Sequence, residues 1–369
     1  MNKNIIVLLL FFLLSSALSA QKRKEIIIPD IGEYKTLKCD FHMHSVFSDG
    51  NVWPTIRVEE AWREGLDVIA LTEHIEYQPH KQYVDTNHND AFNVVEPMAK
   101  SFDILVIRGS EITRSMPPGH TNAIFLTDCN ALDHANYIDA FKAAKAQGAF
   151  IFWNHPDWAR QQPDTTLWWK EHEELYNNGM LHGIEVANGN TYSPVAHRLC
   201  IEKKMTLLGT SDIHNPIGMD YDFAKGEHRP VTLVFAKDKT KDAIKEALFD
   251  RRTVVYYKDK LIGEERFLKE LFEKSLKVEN VSRNGKKISV KVYNPTSIPF
   301  ELKKIKGNNP NVEFFREQTI GAGEYATFGL FEKTLTSTNT FDLKIEVTNL
   351  LTAPEKGLIT TLPLKIMNK

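Results

Sequence analysis

The chain has 369 residues, 42% of them apolar and 25% charged, with a formal net charge of −2. Those figures describe a globular protein of one large or two medium domains and exclude a disordered chain or a solenoid. With no basic stripe, long nucleic acid is excluded as a partner.

The first twenty residues stand apart. Asn2-Lys3-Asn4 is a short basic start, residues 5–14 are an unbroken apolar run, and residues 15–20 are mostly small. This reads as a signal peptide over 1–20, and hence as an exported protein, periplasmic or extracellular. Cleavage falls at the small-x-small Ala17-Leu18-Ser19 or just before Gln21. The run is too short for a stop-transfer helix, so the mature chain is expected to have no membrane span. Retention as an N-terminal anchor is the alternative. No cysteine follows the run, which argues against a lipoprotein anchor. Cys39, Cys129 and Cys200 are odd in number and widely spaced; they read as small buried hydrophobes, with one disulfide possible.

Residues 36–262 alternate between strands and helices. Strand formers lead into Asp40-Phe41-His42-Met43-His44. Residues 58–65 have apolar positions at 58, 61 and 62 and Gly65 as a stop, which predicts a helix. A strand follows at 68–72, then strands at 104–107 and 122–126. A helix over 137–147 ends at Gly148 and leads into a strand at 149–153. Strands are also predicted at 184–187, at 205–209 after a helix ending near 204, and at 231–235. Such alternation means a parallel sheet with helical crossovers, and so many units favour a closed (β/α) barrel over an open sheet. A helix over 264–274 leads out of it. From 277 to 369 the period becomes two: Ile288, Val290 and Val292 alternate with polar residues, as do Phe341, Leu343, Ile345 and Val347. With Asn284-Gly285 as a hairpin turn, this predicts a small all-β sandwich.

The chemistry lies at the strand ends. Two histidines at i and i+2 on a strand share a face, the spacing that two metal-ligating imidazoles need, so His42 and His44 form a pair. Ser48-Asp49-Gly50 follows. The next strands end in Thr72-Glu73-His74, in Gly109-Ser110-Glu111, in Asn154-His155-Pro156 and in Thr210-Ser211-Asp212-Ile213-His214, while Gly119-His120 opens the 122–126 strand. In a (β/α) barrel the C-terminal strand ends build the active site. Six histidines with Asp49, Glu111 and Asp212 exceed the needs of one ion and predict two or three divalent ions, with Glu111 bridging a pair. Thiolate-free ligation suits zinc, manganese or iron. Close metal pairs serve hydrolysis of phosphate esters or amides. The other histidines (His80, His88, His134, His172, His182, His197 and His228) read mostly as surface or loop residues. His228-Arg229 precedes a strand and is placed on the opposite face.

The series His-x-His, Ser-Asp-Gly, Thr-Glu-His, Gly-x-Glu, His, Asn-His-Pro, Gly-Ile-Glu-Val and Ser-Asp-x-His resembles the PHP family, the polymerase and histidinol phosphatase domain, over about residues 36–260. The resemblance implies a distorted (β/α)7 TIM-like barrel with a two- or three-metal phosphoesterase site. By it, His42, His44, Glu111 and Asp212 hold a first ion, Glu111, His120 and His155 a second, and Asp49, His74 and His214 a third. The leader and the β domain make it look more like the exported phosphodiesterase-like members than the biosynthetic or polymerase-linked ones.

The expected activity is hydrolysis of a small phosphorylated substrate by a metal-bridged hydroxide, diesters favoured over nucleotide or sugar monoesters. Glu111, Asp212 and His155 are the expected catalytic residues. Arg114, Arg160 and Asn188 are candidate substrate contacts, although both arginines also read as exposed loop residues. Trp158 and Tyr192 could stack on a base or aryl group; Trp168 and Trp169 read as packing. Glu185 reads either as a residue that orients a ligand histidine or as a polar strand end. An amidase on the same metals and a non-enzymatic module binding through its β domain are the rival readings. Oligomeric state is not encoded in any feature of the sequence.

Overall fold

The structure, a computed structural model, describes residues 23–305, 311–314, 317–336 and 339–366. The leader expected over 1–20 lies outside the described residues.

The chain opens with β1 (Lys35–Asp40), α1 (Pro54–Glu64), β2 (Val68–Leu71), α2 (Asp90–Ser101) and β3 (Leu105–Ile112). Helix α1 shows why these elements form where they do. Pro54 sits at its first position, where a missing N–H costs nothing, and Gly65 ends it at φ 86° while donating back to the helix carbonyls. Val58 and Ala61 turn inward and are fully buried. β4 (Thr121–Ile124), α3 (Tyr137–Ala146), β5 (Phe150–Trp153), α4 (Lys170–Asn177), β6 (Gly183–Asn188), β7 (Thr191–Tyr192), α5 (Pro194–Lys203) and β8 (Thr206–Thr210) follow.

β1, β2 and β3 pair in parallel, as do β5, β6 and β8. β4 breaks the pattern and runs antiparallel to both β3 and β5. The ring β1-β2-β3-β4-β5-β6-β8 returns to its start through a parallel bridge between Met43 and Ile213. This is the distorted seven-stranded barrel, with β4 as its reversed stave. After α6 (Ile217–Asp220), β9 (Val231–Ala236) wedges into the closing seam. It pairs antiparallel with β1, and the Thr232 hydroxyl bonds the Gly209 N–H and C=O of β8 at 2.9 and 2.8 Å. α7 (Lys241–Phe249), β10 (Thr253–Tyr257), β11 (Lys260–Gly263) and α8 (Glu265–Ser275) complete this part.

The C-terminal part is a sandwich. One sheet contains β12 (Lys277–Asn284), β13 (Lys287–Tyr293), β15 (Val312–Phe314) and β17 (Tyr325–Glu332); the other contains β14 (Phe300–Lys304), β16 (Gln318–Ile320), β18 (Thr340–Ala353) and β19 (Lys356–Lys365). The period-two apolar positions face inward, with Ile288, Val290, Val292, Leu343, Ile345 and Val347 at most 1% exposed. The two parts share more than helix α8. Beyond a register shift after Val347, β18 keeps β19 on one edge, Leu351 opposite Gly357, and takes β11 in parallel on the other, Leu261 opposite Leu350 and Ile262 opposite Leu351. Asn349, in that irregularity, donates to the Asp259 and Pro299 carbonyls at 2.7 Å each. All three cysteines are free and buried, so the possible disulfide is not formed. No helix among the described residues is long and apolar enough to cross a membrane.

Candidate metal centre

Strand direction explains the assembly of the site. The C-terminal ends of β1, β2, β3, β5, β6 and β8 meet at one mouth, and because β4 is reversed, His120 before its first residue arrives there too. Two ligands leave their strands in the left-handed region: His155 at φ 29° and Asp212 at φ 53°. Such conformations cost of order 1–3 kcal/mol in non-glycine residues and persist where the surroundings enforce them. Here the His155 N–H donates to Glu185 Oε2 at 2.6 Å and the Asp212 N–H to the His42 carbonyl at 2.9 Å.

All nine expected ligands converge. His42 Nε2 lies 3.0 Å from His44 Nε2, 3.2 Å from Glu111 Oε2 and 3.1 Å from Asp212 Oδ1. His44 Nε2 is 3.2 Å from each of the same two carboxylate oxygens. Donor atoms about 3 Å apart are the spacing that ligands of one cation take when the bonds are about 2.0–2.2 Å. Glu111 turns its other oxygen toward His120 Nδ1 at 2.8 Å and His155 Nε2 at 3.8 Å. A third group forms around Asp49 Oδ1, 3.3 Å from His74 Nε2 and 3.1 Å from His214 Nε2. Asp49 Oδ1, Glu111 Oε1 and His120 Nδ1 are buried with no hydrogen-bond partner. Buried polar atoms are rarely left so, and three of them on metal-ligating residue types fit divalent cations.

The imidazoles are held in one tautomer by their far nitrogens. His42 Nδ1 donates to Glu185 Oε1 at 2.7 Å. His44 Nδ1 faces Ser48 Oγ at 3.2 Å, and that hydroxyl donates to Glu73 at 2.5 Å. His214 Nδ1 donates to the Asp212 carbonyl at 2.8 Å. His74 Nδ1 lies 2.6 Å from Thr113 Oγ1, whose proton goes to the Glu111 carbonyl. In each case Nε2 keeps its lone pair for the centre. That assigns His74 to the Asp49 group rather than to the Glu111–His120 group, which its Nδ1 also approaches at 3.2 Å.

Charge follows from this crowding. Burial opposes a cation at His44, but hydrogen bonds to Asp212 and Glu111 outweigh it and raise its pKa to about 9. His42 is likewise raised against burial by Asp212, Glu185 and Glu111. Burial works against the charged forms of Asp49, Glu111 and Asp212, yet the surrounding histidines hold all three carboxylates well below their usual range. A set of carboxylates that retains protons on its histidines would retain a divalent ion in their place and release those protons.

Behind the ligands lies a buried polar layer. Glu73 accepts from the Ser45 N–H at 3.0 Å and from the Ser45 and Ser48 hydroxyls at 2.5 Å each. Asp40 accepts from the His42 and Ser211 N–H groups at 3.3 and 3.1 Å and from Arg229 at 2.9 Å. Arg57 donates to the His44, Ile213 and Asn215 carbonyls, tying the β1 and β8 loops together. Gly50 makes the Asp49 loop possible: a Cβ there would stand 2.7 Å from the His44 carbonyl carbon.

Some expectations are corrected. Arg229 is not on the opposite face; because β9 runs antiparallel to β1, its start adjoins the C-terminal end of β1, and Arg229 supports the site through Asp40. His228 stays outside, bonded to the Arg229 and Lys258 carbonyls. Arg114 does not line the metal cavity: its guanidinium is held by Glu76 at 2.7 Å and by the Ala135 and His134 carbonyls. Arg160, Asn188 and Trp158 do line it, in a cavity of about 540 Å³. Tyr192 is drawn off to His197 at 2.8 Å. His172 and His197 are fully buried rather than superficial. His172 Nε2 donates to the Pro118 carbonyl at 2.6 Å, fixing the loop that delivers His120.

These features define a class: a (β/α) barrel whose mouth gathers histidines and carboxylates able to hold divalent metal, fused to a β-sandwich. Residues 275–363 match a family described as an Ig-like domain. A crystal structure from Bacteroides vulgatus, described as a two-domain protein containing a predicted PHP-like metal-dependent phosphoesterase, is 53% identical. It aligns over 94% of this chain and 100% of its own, with a TM-score of 0.90. A Bifidobacterium adolescentis structure, classed as a candidate metal-dependent phosphoesterase, is 15% identical over 61% of this chain and 98% of its own, at a TM-score of 0.41. No curated protein matches the sequence. The chain belongs to the PHP-like metal-dependent phosphoesterase family, in a two-domain form that carries an Ig-like domain after the barrel.

Proposed function

We propose that this protein is an exported metal-dependent phosphoesterase that hydrolyses small phosphodiesters. The observation that carries the reading is the convergence of His42, His44, Asp49, His74, Glu111, His120, His155, Asp212 and His214, with three buried ligand atoms that face only one another or neighbouring ligands and make no hydrogen bond. The ligand set suits two or three ions of zinc, manganese or iron. Divalent ions bound there supply Lewis acidity, lowering the pKa of a coordinated water and offsetting charge on phosphoryl oxygens. Glu111 spans two groups with its two oxygens, so it sets their separation; Asp212 and His155 flank it on either side.

The preference for diesters rests on charge. Arg160 is the one lysine or arginine that lines the metal cavity, and its guanidinium has no hydrogen bond or ion pair among the described residues. It is free to pair with a phosphoryl oxygen. A monoester dianion asks for more positive charge than that beyond the metals. Asn188, donating to Glu185 at 2.8 Å, lines the same space. In this reading residues 1–20 are the export signal, 36–262 the catalytic barrel and 277–369 the β-sandwich, with the product released outside the cytoplasm.

The test is hydrolysis of bis-p-nitrophenyl phosphate against p-nitrophenyl phosphate by purified protein and by His42→Ala and Asp212→Ala. The proposal expects diester turnover to exceed monoester turnover and both variants to lose at least a hundredfold in kcat/KM. Full activity in either variant would contradict it. Cleavage of a peptide panel with no phosphoester turnover would favour the amidase reading.

A further inference from the structure

Beside the cavity lined by the candidate metal ligands lies a second lobe of about 310 Å³, with His155, Trp158 and Asn188 common to both. That volume is of the size small-ligand sites have. No lysine or arginine lines the lobe, so it is not built for a second phosphate or another anion. Its buried apolar residues are Pro156 and Val186, and Trp158, 38% exposed, lines both cavities and packs against His120 and His155.

The lobe is lined as well by groups that accept and donate hydrogen bonds. Asp157 takes hydrogen bonds from the Ser193 hydroxyl at 2.8 Å and from the Thr166 hydroxyl, both on Oδ1, which leaves Oδ2 available. The Thr191 hydroxyl makes no hydrogen bond among the described residues and is exposed at the rim. An indole and an apolar wall, with a carboxylate and a hydroxyl among the same lining groups, suit a ring whose C–H face is apolar and whose edge carries hydroxyl donors. A planar base would find an apolar surface here but only one lining amide, Asn188, whose Nδ2 is already given to Glu185 at 2.8 Å.

Resting on the phosphoesterase reading, we propose that this lobe is a subsite for a neutral polyhydroxylated alcohol, a sugar or sugar-like polyol, esterified to the phosphate at the metal centre. In the reaction the oxygen of water bonds to phosphorus, one ester P–O bond breaks with its electron pair leaving on the alcohol oxygen, and that oxygen takes up a proton. The lobe acts on affinity for the ester, not on the bond-breaking.

The experiment compares three methyl phosphodiesters, carrying glucose through O6, ethanol, or thymidine through O5′, with hydrolysis by the metal-loaded full chain followed by ³¹P NMR. The glucosyl ester is expected to exceed the ethyl ester at least tenfold in kcat/KM, mainly through KM, with the thymidyl ester no better than the ethyl. Thr191→Val, which disturbs no internal hydrogen bond, and Asp157→Asn are each expected to bring the glucosyl-to-ethyl ratio toward one. A wild-type ratio near one, a preference for thymidine, or a ratio unmoved by both variants overturns the proposal. If bis-p-nitrophenyl phosphate is hydrolysed without any glucosyl preference, only the subsite falls. If no phosphoester is hydrolysed at all, the phosphoesterase reading falls and takes the subsite with it.

Discussion

Replacing Glu185 by Gln is the sharpest probe of how this centre is organised. All four groups that meet the carboxylate are donors: His42 Nδ1 at 2.7 Å and Thr210 Oγ1 at 2.6 Å on Oε1, the His155 N–H at 2.6 Å and Asn188 Nδ2 at 2.8 Å on Oε2. A glutamine amide must turn its NH₂ toward one pair. Facing His155, it meets a backbone N–H that cannot reverse. Facing His42, it forces the proton onto Nε2, the atom lying among His44, Glu111 and Asp212. Either arrangement sacrifices a hydrogen bond to a charged group, worth about 1.5–3 kcal/mol. That corresponds to about 10–100-fold in metal affinity, the usual cost of removing a group that orients a metal-ligating histidine. Competition against a chromophoric chelator measures the affinity, and the melting temperature of the chelator-treated protein separates it from unfolding. Wild-type affinity in Glu185→Gln, within twofold, would refute the orientation argument.

Other outcomes follow from the same geometry. Gly50→Ala places a methyl 2.7 Å from the His44 backbone, so it is expected to cost about 1–3 kcal/mol in denaturant unfolding and to lower metal occupancy together. Burial holds His172 down at about 4 from an ordinary 6.5, outweighing its bond to the Pro118 carbonyl. The unfolded chain therefore binds the proton first: stability is complete above about pH 6.5 and falls as pH drops toward 4, by up to about 3 kcal/mol from this residue. His172→Gln, which keeps a donor for Pro118, should flatten the melting temperature against pH in that window; an unchanged slope would contradict it. Residues 23–263 expressed alone expose the β11 edge that β18 covers through Leu350 and Leu351. That fragment is expected to elute as aggregates in size-exclusion chromatography, whereas a well-behaved monomer would show the Ig-like domain to be dispensable for folding.

The ligand positions were legible because strands impose period two and a barrel gathers strand ends; His42-x-His44 carries the first stamp, while Asp212 and His214 carry only the second, since Asp212 turns into the left-handed region past the end of β8. The alternating apolar residues of β13 and β18 exposed the sandwich in the same way. Direction was less visible. Nothing local distinguishes the antiparallel β9 from a parallel strand, and so Arg229 was read to the wrong end of the barrel when it supports Asp40. Long-range pairing was hidden for the same reason: Leu350 and Leu351 fall inside the stretch assigned to the sandwich, while β11 pairs with them through Leu261 and Ile262. Partners of long side chains also escape a sequence pattern. Arg114 follows a site strand as Arg160 does, yet Glu76 captures it. Glu73 stood between Thr72 and His74 as an unremarked residue, and only its three hydrogen bonds to Ser45 and Ser48 reveal what it holds.

The central claim is that one histidine–carboxylate cluster binds divalent ions and cleaves phosphoesters with them. The most direct measurement titrates zinc or manganese into chelator-stripped protein while recording bound metal and bis-p-nitrophenyl phosphate hydrolysis in the same samples. The account predicts two to three ions bound per chain, activity rising with their binding, and loss of both together in Glu111→Ala. Hydrolysis at full rate in metal-stripped protein, or stoichiometric binding that Glu111→Ala leaves intact, would contradict it.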